Sequence, residues 1–328
     1  MMELVNKSVL VTGGAGFIGS HLVDQLLLLG CKVTVLDNFD DFYVGKEENL
    51  APHFNSPRFR LVNASVTDFE KVQDVMKNVN VVFHEAGQAG VRYCIKNPRK
   101  AHDVNVTGTI NVLLAAKQEG VEKVIYASSS SVYGTSVRFP LEESLPTNPT
   151  NPYAATKLAA EKYCMAFWQS YRLPVTCLRY FSVYGPRGRP DQVIFSFADK
   201  AISKARPIIY GDGSQTRDFT YISDVVSATL LASLREESNG QVINIGFGKE
   251  IRIDRVAKMV LDYYGSSKEP EFVEGYDGDF PRTLCNNSKA RTLLGWQPMV
   301  PFEKGLNETL KWYDEKRKRT YQFLKGGR

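Results

Sequence analysis

The sequence predicts an α/β fold, a doubly wound parallel sheet followed by a smaller, loop-rich α/β lobe. Three observations predict it. Short β-branched runs alternate with helical patterns through the first half of the chain. Those runs are nearly all apolar, as in a sheet covered on both faces. Past residue 182 the rhythm changes, and Gly and Pro punctuate the chain at Gly185-Pro186, Gly188, Pro190, Pro207, Gly211, Gly213, Gly275 and Pro281.

The strand runs stand at 8–12 (SVLVT), 32–36 (KVTVL), 59–62 (FRLV), 80–83 (NVVF), 123–127 (KVIYA) and 174–179 (PVTCLR). Helical patterns separate most of them at 17–29, 68–78, 100–119 and 153–171. In the second half helical patterns occur at 191–204, 223–235, 252–264 and 302–319. The segment 223–247, a helix followed by the strand-like QVINI, is expected to return to the first domain.

Composition sets the outer bounds. The chain has 328 residues, 43% apolar and 23% charged, enough to bury a large core without disulfide or metal staples. Lys plus Arg exceeds Asp plus Glu by 41 − 36 = 5. Much of that excess lies in Lys311, Lys316, Arg317, Lys318, Arg319, Lys325 and Arg328, which read as a solvated helix face rather than a nucleic-acid footprint. The scattered cysteines Cys31, Cys94, Cys164, Cys177 and Cys285 form no CxxC and argue for reduced thiols in the cytoplasm. The first apolar run is broken by Thr12-Gly13-Gly14, so no signal peptide is expected, and no stretch suits a membrane span. His53 and His102 lack partners at metal spacing, so no metal is expected. His21 and His84 are read as packing residues, as are Trp168, Trp296 and Trp312.

The first run leads into Gly13, Gly16 and Gly19, and then a helix. Gly13 makes a tight turn, Gly16 admits a pyrophosphate, and Gly19 lets helix and strand pack closely. The helix beyond offers unpaired N–H groups and a positive dipole end to phosphate. Asp37 ends the second strand, where a carboxylate accepts the adenosine ribose hydroxyls and repels a 2′-phosphate. The loop therefore predicts NAD on a Rossmann sheet.

Tyr153 and Lys157 stand four apart at a helix start and share a face. An ammonium near a phenol lowers the phenol pKa and makes a general base. Ser128-Ser129-Ser130-Ser131 follows the fifth strand run, at the carboxyl end where ligands of such sheets bind.

These residues resemble the extended short-chain dehydrogenase/reductase superfamily, and within it the nucleotide-sugar 4-epimerases. TGGAGFIGSHL, Asp37-Asn38, HEAGQAGVR, NVTGT, SSSSVYG, the YxxxK, RYFSVYGPRGRPD, GDGSQTRDFTYISD and GDFPRTL occur in family order over nearly the whole chain. The resemblance implies NAD on Gly13, Gly16, Phe17, Ile18, Gly19, Asp37 and Asn38, with Ser65, Val66, Ala86, Gly87, Gln88, Asn105, Tyr153, Lys157 and Tyr180 lining the rest of the cofactor. It implies a UDP-sugar on Ser130, Ser182, Arg189, Gln192, Arg217, Asp279, Arg282 and Thr283. Arg217 matches an arginine that clamps the UDP diphosphate. The implied domains are 1–182 for NAD, with 223–247 returning, and 183–328 mainly for the UDP-sugar. Ser129, Tyr153 and Lys157 match the catalytic set. Tyr153 phenolate would take the sugar 4-hydroxyl proton as hydride leaves carbon 4, and the 4-keto sugar would turn over before hydride returns to its other face. Family members commonly dimerise through helices matching 100–119 and 153–171, as a four-helix bundle.

Departures from the family pattern narrow the reading. Dehydratases carry Asp-Glu after the catalytic Ser/Thr, and Ser130-Ser131 stands here. The usual adenine-binding acid is replaced by Ala64-Ser65-Val66. Thr283 replaces a bulky Tyr that restricts hexose-specific members, which points to UDP-N-acetylglucosamine/UDP-N-acetylgalactosamine, with UDP-glucose/UDP-galactose also admitted. QAGVR, Ser182 and Arg189 support UDP-glucuronate as the alternative. Arg189 is open between the diphosphate, a substrate carboxylate and plain surface exposure. A non-catalytic NAD-binding regulator is a reading from another class, opposed by the retained Ser129, Tyr153 and Lys157. An NADP-dependent reductase is opposed by Asp37.

Overall fold

The computed structural model describes residues 2–136, 138–275 and 280–326. Strands β1 (Ser8–Thr12), β2 (Lys32–Asp37), β3 (Phe59–Asn63), β4 (Val81–His84), β5 (Lys123–Ser129) and β6 (Val175–Tyr180) follow the predicted runs to within two residues. The second half holds β7 (Val183–Tyr184), β8 (Ile208–Tyr210), β9 (Thr216–Asp218), β10 (Thr220–Tyr221), β11 (Gln241–Ile245), β12 (Glu250–Arg252) and β13 (Glu271–Val273). The helices are α1 (Phe17–Leu28), α2 (Lys46–Leu50), α3 (Phe69–Met76), α4 (Val91–Lys96), α5 (Pro98–His102), α6 (Gly108–Gln118), α7 (Pro152–Tyr171), α8 (Val193–Ile202), α9 (Ile222–Leu234), α10 (Ile253–Tyr263), α11 (Ser288–Leu294) and α12 (Phe302–Gly326).

Seven parallel strands form one sheet in the order β3-β2-β1-β4-β5-β6-β11. QVINI forms β11 and pairs with β6 at the sheet edge, while α9 packs on α1, β5 and β6. Successive β1 residues face opposite sides, as the strand period requires. Val9 and Val11 join a core with Leu22, Val23, Leu26 and Val225, and Leu10 joins another with Val72, Val112, Leu113 and Cys164. Burial on both faces explains the continuous apolar runs. The strand order reverses between β1 and β4, which opens a crevice at their carboxyl ends.

The expected single helix over 100–119 is divided. A π turn at Asp103–Thr107 separates α5 from α6. It turns Asn105 inward, where Nδ2 donates to Thr156 Oγ1 at 2.9 Å and to Gln88 O at 3.2 Å. Such turns recur at functional sites. α7 begins cleanly because Asn151 accepts from Ala154 N–H at 2.9 Å and Pro152 takes the first position.

The smaller lobe is built from strand pairs β7–β10, β9–β12 and β8–β13, with α8 against α10. Asp218 ties it together. Its buried carboxylate accepts the N–H groups of Phe247, Gly248 and Cys285, each at 2.9 Å. Among the described residues no helix is long and apolar enough to cross a membrane.

Candidate active site

The crevice opens into a cavity of about 790 Å³ that runs from the glycine loop to the smaller lobe. Gly13, Gly16, Phe17, Ile18 and Gly19 line one end. Their glycines are required by close approach of backbone. A β-carbon on Gly19 would lie 2.2 Å from Gly13 O, and one on Gly13, at φ +70°, would lie 2.6 Å from Ala86 N. Gly16 caps α1 without a side-chain bond, so the helix N-terminus faces the cavity. The Tyr43 hydroxyl meets Phe17 N–H there, and burial pushes its pKa up to about 12.

Asp37 also lines this end, and its oxygens accept from Ala15 N–H at 3.0 Å and Phe39 N–H at 2.9 Å. Each oxygen keeps acceptor capacity for a ribose hydroxyl. Burial raises the Asp37 pKa against those two bonds. Asn38, Ser65 and Val66 stand on the same wall, and Ser65 Oγ accepts Thr67 N–H at 3.1 Å. The glycine cradle, the free helix end and this carboxylate fit a dinucleotide.

Ala86, Gly87 and Gln88 line the middle, with Tyr180 beyond. Asn105 stands behind this wall rather than on it. Its amide is committed to Thr156 and Gln88, and Gln88 N–H donates to its Oδ1 at 2.6 Å. Asn105 thereby pins the loop after β4 to α7.

Tyr153, Lys157 and Ser129 meet at the chemical centre. Lys157 Nζ donates to Ala127 O at 2.7 Å, and burial pulls its pKa down to about 8 against the opposing charge of Glu85. The Tyr153 pKa is raised by burial, opposed by a hydrogen bond with Ser129 and by the Arg189 charge. The expected lowering by Lys157 is not found: burial sets the direction, and the ammonium is turned to Ala127. Ser129 Oγ also accepts Ser131 Oγ–H at 2.9 Å, while Ser128 Oγ donates to buried Glu161 at 2.9 Å.

Ser130 and Ser182, just past β5 and β6, and Arg189, Gln192, Arg217 and Thr283 of the smaller lobe all line the cavity. Arg189 is 24% exposed and pairs with Asp191 at 2.9 Å. Gln192 Nε2 donates to Val183 O at 2.9 Å, and its buried Oε1 has no hydrogen-bond partner. Thr283 is buried, its Oγ1 accepting Asp218 N–H at 3.1 Å. Arg282 does not line the cavity, contrary to expectation. It forms a two-armed pair with Glu250 at 2.7 and 2.8 Å and covers Phe139. Asp279 lies outside the described residues.

The lining residues missed in the sequence include Tyr43, Lys46, Glu85 and Arg92. Glu85 and Arg92 sit inside HEAGQAGVR, so the motif was a signal for both. Arg92 stacks on Tyr210 at 4.0 Å across the cavity. His84 is a core residue, held between Thr12 Oγ1 at 2.7 Å and Thr109 Oγ1 at 2.9 Å. His21 bonds Pro186 O at 2.9 Å. Among the described residues no cluster of His, Cys, Asp or Glu could hold a metal.

A Rossmann sheet with a glycine cradle, an acidic ribose acceptor and a Tyr–Lys–Ser centre defines a dinucleotide-dependent enzyme. The NAD dependent epimerase/dehydratase family profile matches residues 9–246. The chain belongs to that family, is an isomerase of its epimerase branch, and uses NAD. It is 39% identical over 313 residues to a UDP-glucuronate 4-epimerase of Thermodesulfobacterium geofontis, covering 93% of this chain and 96% of the relative. It is 36% identical over 309 residues to a putative UDP-glucose 4-epimerase of Methanocaldococcus jannaschii, covering 93% and 97%. Among solved structures, the UDP-N-acetylglucosamine 4-epimerase of Methanobrevibacter ruminantium M1, in complex with UDP-N-acetylmuramic acid, superposes with a TM-score of 0.88 at 34% identity, covering 95% of this chain and 99% of that one. The UDP-glucuronic acid 4-epimerase of Bacillus cereus, in complex with UDP-glucuronic acid and NAD, gives 0.89 at 33%, covering 94% and 99%.

Proposed function

We propose that this enzyme inverts carbon 4 of a UDP-sugar, with UDP-N-acetylglucosamine and UDP-N-acetylgalactosamine as the preferred pair. Thr283 carries the preference. It is small, it lines the cavity, and its oxygen is bound to Asp218 N–H, so it leaves room for an N-acetyl group. Ser130 and Ser131 favour epimerisation over dehydration, since neither can act as the acid that expels water. NAD bound on the glycine cradle supplies a reversible hydride acceptor. Tyr153 takes the 4-hydroxyl proton and returns it, Ser129 holds that oxygen, and Lys157 keeps positive charge beside them. Arg217 is assigned to the UDP diphosphate.

A second reading, UDP-glucuronate, is favoured by one observation. Arg189 lines the same cavity as Tyr153 and its charge opposes the rise of the Tyr153 pKa, which supports a role for it beside a substrate carboxylate. Incubating the enzyme with each UDP-sugar and separating the epimers decides between them. Turnover of the uronate alone overturns the first reading. Thr283→Tyr is expected to abolish turnover of the N-acetyl sugars while sparing UDP-glucose.

The remaining assignments follow the same reading. Residues 1–182 with 223–247 serve the cofactor, and the rest of 183–328 serves the sugar nucleotide. The α6 and α7 helices supply a dimer face, on which Tyr163 and Tyr171 are exposed. Five buried free cysteines support a cytoplasmic location.

A further inference from the structure

Arg189 reaches the cavity from the loop between β7 and α8. Inside that loop the bonds are short-range. Gly188 N–H donates to Gly185 O at 3.2 Å, and Gln192 N–H donates to Arg189 O at 3.1 Å. The Arg189 guanidinium bonds Asp191 at 2.9 and 3.2 Å. Arg187 sits at φ +62°, a backbone region that few non-glycine residues enter. None of these bonds fixes where the loop stands relative to the sheet.

That position is set from α1. Among the described residues, the hydrogen bonds and ion pairs that tie 186–191 to another element go to His21 and Asp24. His21 Nε2 lies 2.9 Å from Pro186 O. A carbonyl only accepts, so this nitrogen carries the ring proton. Asp24 Oδ2 lies 2.8 Å from Arg187 Nη1, as a close ion pair rather than an aligned hydrogen bond. Asp24 Oδ1 meets His53 Nε2 at 2.7 Å, which steadies the carboxylate from the other side. Residues three apart on a helix share a face. One rigid surface therefore holds two consecutive loop residues, one by its backbone and one by its side chain. Two adjacent anchors fix both the place and the twist of the loop. Arg187 turns outward and lines a recess beside the cavity, while Arg189, two residues on, enters the cavity. There its guanidinium lies 5.8 Å from the centre of the Phe42 ring, and its charge opposes the rise of the Tyr153 pKa.

We propose that His21 and Asp24 are positioning residues of the reaction, which act through Pro186 and Arg187 to set Arg189 against an anionic group of the substrate. The helix that carries them also presents its N-terminus to the cofactor end of the cavity. One helix thus gives the hydride acceptor and the substrate arginine a common frame. The proposal rests on the reading in which Arg189 meets the substrate.

Steady-state kinetics on the NAD-loaded enzyme test it as a double-mutant cycle. The substrate is whichever of UDP-N-acetylglucosamine, UDP-glucuronate and UDP-glucose is turned over. Arg189→Gln is expected to lower kcat/KM at least about tenfold, the scale of a lost charged hydrogen bond. Asp24→Asn and His21→Ala are each expected to cost roughly tenfold in the wild-type background, since a misplacement of about 1 Å can cost more. In the Arg189→Gln background each should cost less than about twofold, because a residue that acts only through Arg189 has nothing left to place. NAD content, measured alongside, should be unchanged. Arg187→Met should behave as Asp24→Asn does, and Arg187→Lys, which keeps the charge, should recover most of that loss. A purely structural contact would lower the melting temperature without coupling to Arg189. Equal losses from Asp24→Asn in both backgrounds overturn the proposal alone. Wild-type kcat/KM in Arg189→Gln overturns the reading beneath it, and the proposal with it. Should Asp24→Asn fail to fold or lose NAD, Arg187→Met carries the same cycle from the loop side, and additivity there overturns the proposal.

Discussion

Replacing Glu161 by Leu tests what holds the catalytic centre together. The Glu161 carboxylate takes Arg179 Nη2 at 2.6 Å, Arg179 Nε at 3.0 Å and Ser128 Oγ at 2.9 Å. Both charged side chains are nearly sealed from water, at 1% and 4% exposure. The pair joins α7, which carries Tyr153 and Lys157, to the ends of β5 and β6. Leu removes the anion and leaves a buried guanidinium without a counter-charge, against Tyr133, whose ring lies 4.6 Å away. Breaking such a pair costs about 3–5 kcal/mol. Unfolding entropy of about 2.1 cal/mol/K per residue gives roughly 0.7 kcal/mol/K for 328 residues, so the melting temperature should fall by about 4–7 °C. Removing both charges, as Glu161→Leu with Arg179→Met, should recover most of that loss, since apolar residues replace buried pairs at little cost. Thermal unfolding followed by circular dichroism on the two single variants and the double variant measures this. A Glu161→Leu protein within about 1 kcal/mol of wild type, or a double variant no better than the worse single, refutes the reasoning.

Tyr153→Phe should keep the fold and bound NAD but lose at least about two decades of turnover, the scale of a positioned acid–base group; unchanged turnover removes Tyr153 from the mechanism. Gly19→Ala forces a β-carbon within 2.2 Å of Gly13 O and should open the glycine turn, lowering NAD retention on gel filtration together with stability. His84 makes stability depend on acid. Burial drives its pKa from 6.5 down to about 3, so below pH 6.5 the unfolded chain takes a proton that the folded protein refuses. Stability from this residue is therefore complete above pH 6.5 and is lost as pH falls towards 3, by up to roughly 5 kcal/mol. Urea titrations across that range should show the decline, and His84→Gln should flatten it.

The sheet was legible because strands buried on both faces leave an unbroken apolar trace, as SVLVT and KVIYA do. The glycine loop was legible because backbone contact fixes its spacing, and Tyr153 and Lys157 because one helix carries both. What escaped depends on partners far apart in sequence. Arg282, expected beside the UDP-sugar, pairs with Glu250, and nothing near residue 282 announces residue 250. Asn105 lies in a recognisable motif, yet its use as a brace between Gln88 and Thr156 follows from a π turn that apolar periodicity does not record. The lowering of the Tyr153 pKa was argued from one pair of residues, whereas burial by the whole cavity decides its direction.

The π turn at Asp103–Thr107 makes helix length itself a constraint on this enzyme. Losing one residue there would restore ordinary α spacing with α5 and α6 in nearly their present relative orientation, because the wider π turn holds one residue more than the α turn it replaces. What would go is the inward turn of Asn105, and with it the brace on Gln88 and Thr156. The extra residue and the cavity wall are thus one device: the length of this helix decides whether Gln88 has a brace behind it.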